Sequence, residues 1–337
     1  MILRTNNLRL TLFFLVVVCY CAGSLHAKPV HNYVFFNMER ERIKEASFLE
    51  TIALEGAQLK YTWRELEPEK DHYVFEAIRK DLAFLTSKGK KLFIQLQDSS
   101  FNKRDIVVPK YLQTDEYHGG MAPQYEIKDG DEEHAQVAGW VSRRWDPAVQ
   151  LRFRKLLEAL GKEFDGKIEG INLPETSIGF GETGKLFPQG YSNEIYRDAI
   201  ITNMRALKKA FVKSVVIQYA NFMPGEWLPD NDKSFLRTVY KEARTMGVGV
   251  GGPDLLPFRR GQNNHSYPLI KAAAGSVPTG IAVQDGNYAD VDKKTGKRLT
   301  IGELLAFAKD QLMVDYVFWC TEEPYYSTEL IPFLNKR

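Results

Sequence analysis

The chain has 337 residues, with 45 Lys and Arg against 43 Asp and Glu and a formal net charge of +2. This near-balance, with no block of one sign, excludes the clustered basic stripe of a nucleic-acid binder. At 44% apolar residues the chain is long enough to bury a core that stabilises itself.

The first element is a leader. Arg4 and Arg9 precede an apolar run over 10–22, and Ser24-Leu-His-Ala27 follows. That order is the signature of a signal peptide, and the run falls short of the roughly 20 apolar residues a membrane span needs. Residues 1–27 are therefore read as a signal peptide cleaved after Ala27. The mature protein, 28–337, is expected to be a single domain, secreted or periplasmic, with no membrane attachment after cleavage. Cleavage removes Cys19 and Cys21 and leaves only Cys320, so no internal disulfide is expected and packing must hold the fold.

Beyond the leader, short apolar runs alternate with amphipathic segments. Strands are predicted over 33–37, 57–63, 91–97, 168–173, 215–220, 248–252, 280–284 and 316–320. Helices are predicted over 43–54, 75–87, 147–164, 193–211, 233–246, 267–274, 301–313 and 328–334. Asp146, Ser192 and Thr300 stand where helix N-caps belong, and Pro147 falls at a first helical position. Runs such as Leu92-Phe-Ile-Gln-Leu96 are mostly apolar, as strands covered on both faces are. Eight strands, each followed by a helix, predict a (β/α)8 TIM barrel. An open doubly wound sheet would carry a glycine-rich turn after the first strand, and Asn37-Met-Glu-Arg40 has no glycine. The run Gly247-Val-Gly-Val-Gly-Gly252 lies within a predicted strand and does not open a helix. Between the third strand and third helix, 98–145 is too long for an ordinary connection. In a barrel it leaves from the active face, so a lid or substrate wall is expected, with a disordered insertion as the alternative.

Barrel sites are assembled at the C-terminal strand ends. There the sequence offers Asn37, Trp63, Arg64, Gln97, Asp98, Asn172, Glu175, Tyr219, Asn221, Asp254, Gln284, Asp285, Trp319, Glu322 and Glu323. Carboxylates serve as acid, base or nucleophile at an acetal, amides bind hydroxyls, and aromatic faces stack on sugar rings, so the inventory points to carbohydrate. No metal and no cofactor are expected. The histidines are scattered, no His-x-His follows the first strand, and no Gly-x-Ser-x-Gly elbow occurs. Arg64 is read as the ion-pair partner of Glu65 or Glu67.

The stretch Tyr61-Thr-Trp-Arg-Glu-Leu-Glu-Pro-Glu-Lys-Asp-His-Tyr-Val-Phe75, followed by Asp81-Leu-Ala-Phe-Leu85 and Gly89-Lys-Lys-Leu-Phe-Ile-Gln-Leu96, resembles the second and third strands of clan A glycoside hydrolases, the β-galactosidase-type families above all and also the cellulase type. The resemblance implies a TIM barrel that cleaves O-glycosidic bonds of an oligo- or polysaccharide, with an acid/base Glu after the fourth strand. Asn172-Leu-Pro-Glu175 stands there, though the clan's Asn and Glu are adjacent. Trp319 matches the clan's Trp after the eighth strand. The clan's nucleophile Glu after the seventh strand has no counterpart, because the sequence reads Gln284-Asp285-Gly-Asn287. The expected catalytic set is Glu175 with Asp285 or Glu322. The expected substrate contacts are Trp63, Gln97, Asn172, Tyr219, Asn221, Gln284 and Trp319. Because Asp is a methylene shorter than Glu, an inverting pair with room for a water is one expectation. A non-catalytic carbohydrate-binding barrel that has lost the nucleophile is the alternative, and a barrel lyase or esterase is the third reading.

Overall fold

The structure is a computed structural model that describes residues 29–336; the leader, 1–27, and its cleavage site lie outside the described residues. Eight strands close into a barrel: His31–Asn37, Leu54–Thr62, Lys91–Gln97, Gly170–Leu173, Val215–Tyr219, Gly249–Gly252, Thr279–Val283 and Tyr316–Cys320. These first to eighth barrel strands pair in parallel all the way round, and the first also pairs with the eighth. The fold is the (β/α)8 TIM barrel the alternation predicts.

The helices follow the caps read from the sequence. Pro147–Phe164 opens on Asp146, whose side chain accepts from the Ala148 and Val149 amides. Ser192 accepts from Ile195 N at the head of Asn193–Ala210, and Thr300 forms a capping box with Glu303. Three predicted helices are interrupted, the last of them by a π-helix over Tyr326–Leu330 ahead of Ile331–Leu334. The first divides at Glu45, whose extended backbone (ψ 132°) separates a 3-10 turn, Arg40–Lys44, from Ala46–Glu50. The seventh is α-helical over Ile301–Ala306 and widens to a π-helix over Phe307–Leu312.

The barrel interior is filled in layers. Tyr33, Phe93, Tyr316 and Phe318 plug the lower end with ring centroids 5.0–6.1 Å apart. Small residues make room for these rings: a Cβ on Gly170 would sit 2.5 Å from Phe93 Cε2. Above the plug, Gln58 donates to Asn172 Oδ1 (2.9 Å) and to the Tyr219 hydroxyl (3.0 Å), forming a polar layer inside the barrel. The glycine-rich run builds the sixth strand. A Cβ on Gly251 would lie 2.3 Å from the Gly280 carbonyl oxygen, so only glycine allows that neighbour so close.

The long excursion folds as an antiparallel sheet of Ser99–Ser100, Gln136–Ser142 and Met121–Glu126. Its two ends are clamped together by a buried ion pair. Arg144 donates to both carboxylate oxygens of Asp98 (2.6 and 2.9 Å), and the Ser142 hydroxyl donates to the same group (2.6 Å). Such a pair contributes geometry more than net stability, since desolvation offsets much of its attraction.

Candidate active site

At the C-terminal ends of the strands the barrel opens into a cavity of about 880 Å³. Its lining follows from strand parity. Successive residues point to opposite faces, so Lys60 and Thr62, Gln95 and Gln97, Pro174, Tyr219 and Gln284 carry one parity inward to the cavity. Segment 99–107, the first part of the excursion, supplies a wall that includes Phe101, Arg104 and Asp105, which fits the wall expected of this loop. Phe101 is 59% exposed, an aromatic face turned toward solvent within the cavity lining.

Glu175 stands in this cavity just beyond the fourth strand. Its backbone is held from both sides. Gln218 donates to Pro174 O (2.7 Å) and Arg144 donates to Glu175 O (3.1 Å). The Tyr196 hydroxyl donates to Thr176 O (3.0 Å). Burial raises the Glu175 carboxyl from its ordinary value of 4.5 to about 7. The hydrogen bond from Asn221 Nδ2 (2.5 Å) lowers it, the charge of Asp254 raises it, and Arg144 and Lys60 lower it. A carboxyl desolvated in this way carries its proton near neutrality while facing an open cavity. Asp254 follows Pro253 at the end of the sixth strand, is itself raised by burial, and accepts from Asn287 (3.4 Å).

An adjoining hollow of about 530 Å³ shares Asn37, Met38 and Gln284 with the main cavity and contains Asp285 and Glu322. Glu322 accepts from the Gly286 amide (2.8 Å). Asp285 is exposed and accepts no hydrogen bond from a described residue. Asp285, Glu322 and Cys320 each bring one possible ligand atom within 4.8 Å of the others. Burial pushes the Cys320 thiol up to about 12, so it stays a neutral and weak ligand at physiological pH.

The structure thus brings Glu175, Gln97, Tyr219 and Gln284 into one cavity, sets Asn221 against Glu175, and puts Asp285 and Glu322 in the hollow beside it. Three expected sugar contacts are corrected. Trp63 is fully buried outside the barrel, edge-on to Phe153, and donates to Glu67 Oε2 (2.9 Å). Trp319 is also fully buried; it stacks parallel to Tyr288 and donates to Asn32 Oδ1 (2.9 Å). Trp319 has the outward parity of its strand, opposite Cys320, and Trp63 opens the helical turn after the second strand, so standing at a strand end did not turn either to the mouth. Asn172 has inward parity, but it is consumed by Gln58 one layer below the cavity.

Arg64 is a further correction. Glu65 pairs with Arg40 (2.7 Å) and Glu67 with Arg152, leaving Arg64 in the cavity lining with one long contact, to Ile106 O (3.5 Å). Residues 63–66 coil into one helical turn on a Thr62–Glu65 capping box, which carries Arg64 off the strand pattern. Lys60, Phe101 and Asp105 were not singled out from sequence. The inward parity of Gln58, Lys60 and Thr62 was a readable signal for Lys60; the loop residues had none.

The sequence matches no protein-family model and no curated protein. Solved structures match over most of the chain. A GH5_18 protein of Bifidobacterium longum subsp. longum, solved with Manβ1-4GlcNAc, superposes with a TM-score of 0.54 at 11% identity, over 90% of this chain and 72% of that one. A β-galactosidase from the Antarctic haloarchaeon Halorubrum lacusprofundi gives 0.52 at 12% identity, over 86% of this chain and 52% of that one. A β-galactosidase from a Rahnella species gives 0.50 at 10%, over 88% and 51%. The barrel shares its (β/α)8 fold with these glycoside hydrolases. The chain spans about half the length of the two β-galactosidases, and at these identities the likeness is one of fold.

Proposed function

We propose that this chain is a glycoside hydrolase in which Glu175 is the proton donor and Asp285 activates the attacking water. The observation that carries the reading is Glu175 itself, a carboxyl raised to about 7 and aimed into a cavity of oligosaccharide dimensions. Acid catalysis at an acetal needs a proton held near working pH on the leaving-group side. Burial and the charge of Asp254 supply that poise. Gln95, whose Oε1 is buried without a partner, together with Gln97, Gln284 and the Tyr219 phenol, suits the hydroxyls of a sugar ring. Phe101 suits its C–H face.

Asp285 is the freest of the three carboxylates in the adjoining hollow, since Glu322 is engaged by Gly286 N and Glu39 pairs with Arg42 (3.1 Å). An inverting pair spaces its carboxyls about 6.5–9.5 Å apart so that a water fits between base and anomeric carbon, and this is the spacing the proposal requires of Glu175 and Asp285. Glu175 then protonates the glycosidic oxygen as the C–O bond breaks. Asp285 accepts a proton from the water that attacks the opposite face, and a second proton exchange with solvent restores both groups. With the leader removed after Ala27, the enzyme would act outside the cytoplasm on oligo- or polysaccharide.

One observation favours a second reading, a barrel that binds carbohydrate without cleaving it: Asp285 and Glu322 lie outside the cavity that holds Glu175. Incubating the protein with oligosaccharides of differing sugar and linkage, and following released sugars by NMR, separates the two. Products that first appear with inverted anomeric configuration support the proposal. Binding of oligosaccharides with no product over days supports the second reading.

A further inference from the structure

Lys60 is the cavity's least expected group. It projects from the second strand into the main cavity and is largely buried, and its ammonium makes no hydrogen bond or ion pair with any described residue. Its ammonium lies 5.5 Å over the ring of Phe35, and the carboxylates whose charges act on it are Glu175 and Asp105. Burial lowers it to about 8, so it is still mainly charged at neutral pH. A buried charge left unpaired in a folded protein is expensive and is retained where something else pairs with it. Two further cations share the lining, Arg64 with its single long contact and Arg104 with an exposed side chain. Against these three stand Asp105 and a Glu175 that keeps its proton near pH 7. The cavity is therefore positive, and a concave site focuses that potential on what enters.

Building on the glycosidase reading, we infer that the substrate is an acidic carbohydrate, whose carboxylate or sulfate oxygens are received by Lys60, with Arg64 and Arg104 along the same wall. A uronate and a sulfate ester present the same chemistry to these residues, an oxyanion with several acceptor lone pairs, which ammonium and guanidinium donors suit.

Calorimetric titration of the full chain with three sets of tetrasaccharides tests this: galacturonate and mannuronate oligomers, κ-carrageenan oligomers whose only anion is sulfate, and the neutral cellotetraose and mannotetraose. Binding in the uronate set or the sulfated set, weakened at high salt, is expected, and the set that binds names the anion. Lys60→Met should weaken that binding about tenfold or more, as loss of a charge-assisted hydrogen bond does, and Lys60→Arg should restore most of it. Arg104→Ala, at an exposed position where folding is not at stake, should weaken it about threefold. Binding confined to the neutral sugars, or acidic sugars bound equally well by Lys60→Met and Arg104→Ala, overturns the inference and leaves the glycosidase reading standing. Binding of no oligosaccharide in any set overturns both.

Discussion

The barrel mouth carries two acidic groups of different character. After the fourth strand, Glu175 is desolvated, locked by Arg144 and Gln218 through the backbone around it, and raised to about 7. After the seventh and eighth strands, Asp285 is exposed and Glu322 accepts a single backbone amide. Both groups are acidic side chains at strand ends and look equivalent in one dimension. What separates them is how much water each keeps. A carboxyl stripped of water holds a proton and serves as an acid.

The largest expected effect tests the first group. Glu175→Gln should lower turnover by about a thousandfold or more while changing sugar affinity little, the usual consequence of removing a general acid; kcat and KM on the substrate found by screening check it. Asp285→Asn should produce a comparable loss if the second group supplies the base, and a loss from Glu322→Gln instead would move that role one strand along. Outside both groups, Trp63→Ala should destabilise the fold by about 3–5 kcal/mol, as truncation of a buried aromatic does, with KM unchanged, as denaturant titration and kinetics on the surviving fold would report.

The contrast also predicts a pH-dependent stability. The folded-state value of Glu175 lies above its ordinary 4.5, so the fold binds this proton more tightly than the unfolded chain does. That contribution is full below about pH 4.5 and is lost as pH rises through 7. Glu175→Gln removes the penalty of the buried charge and should stabilise the protein by about 3 kcal/mol at pH 8 and by nearly nothing at pH 4.5. Smaller still is the contribution of Asp254. Asp254→Asn removes a charge that raises Glu175, so the alkaline limb of the activity profile should move to lower pH.

Much of this was legible in the sequence, and the reasons differ by residue. The eight strands and the helix caps were legible because periodicity and capping are local. The third and eighth strands and the helix Pro147–Phe164 begin and end where the pattern set them. Glu175 was legible because a barrel puts strand-end residues at its mouth. Trp63 and Trp319 were misplaced because strand-end position was weighed alone: a helical turn carries Trp63 onto Phe153 of the helix Pro147–Phe164, and strand parity turns Trp319 away from the mouth onto Tyr288. Asp254 was visible as a strand-end acid, but its charge on Glu175 acts across the intervening fifth strand, a distance that strand order alone does not give. Phe101, Arg104 and Asp105 lie in an irregular excursion whose course depends on the buried Asp98–Arg144 pair, a contact between residues far apart in the chain.

The central claim is that one carboxyl at the barrel mouth keeps its proton near neutrality. An NMR titration of the Glu side-chain carboxyl carbons, with the Glu175 resonance assigned by its loss in Glu175→Gln, measures this directly. The account predicts a midpoint of about 7. A midpoint at the ordinary 4.5 would contradict it, because an ionised Glu175 has no proton to give to a leaving sugar.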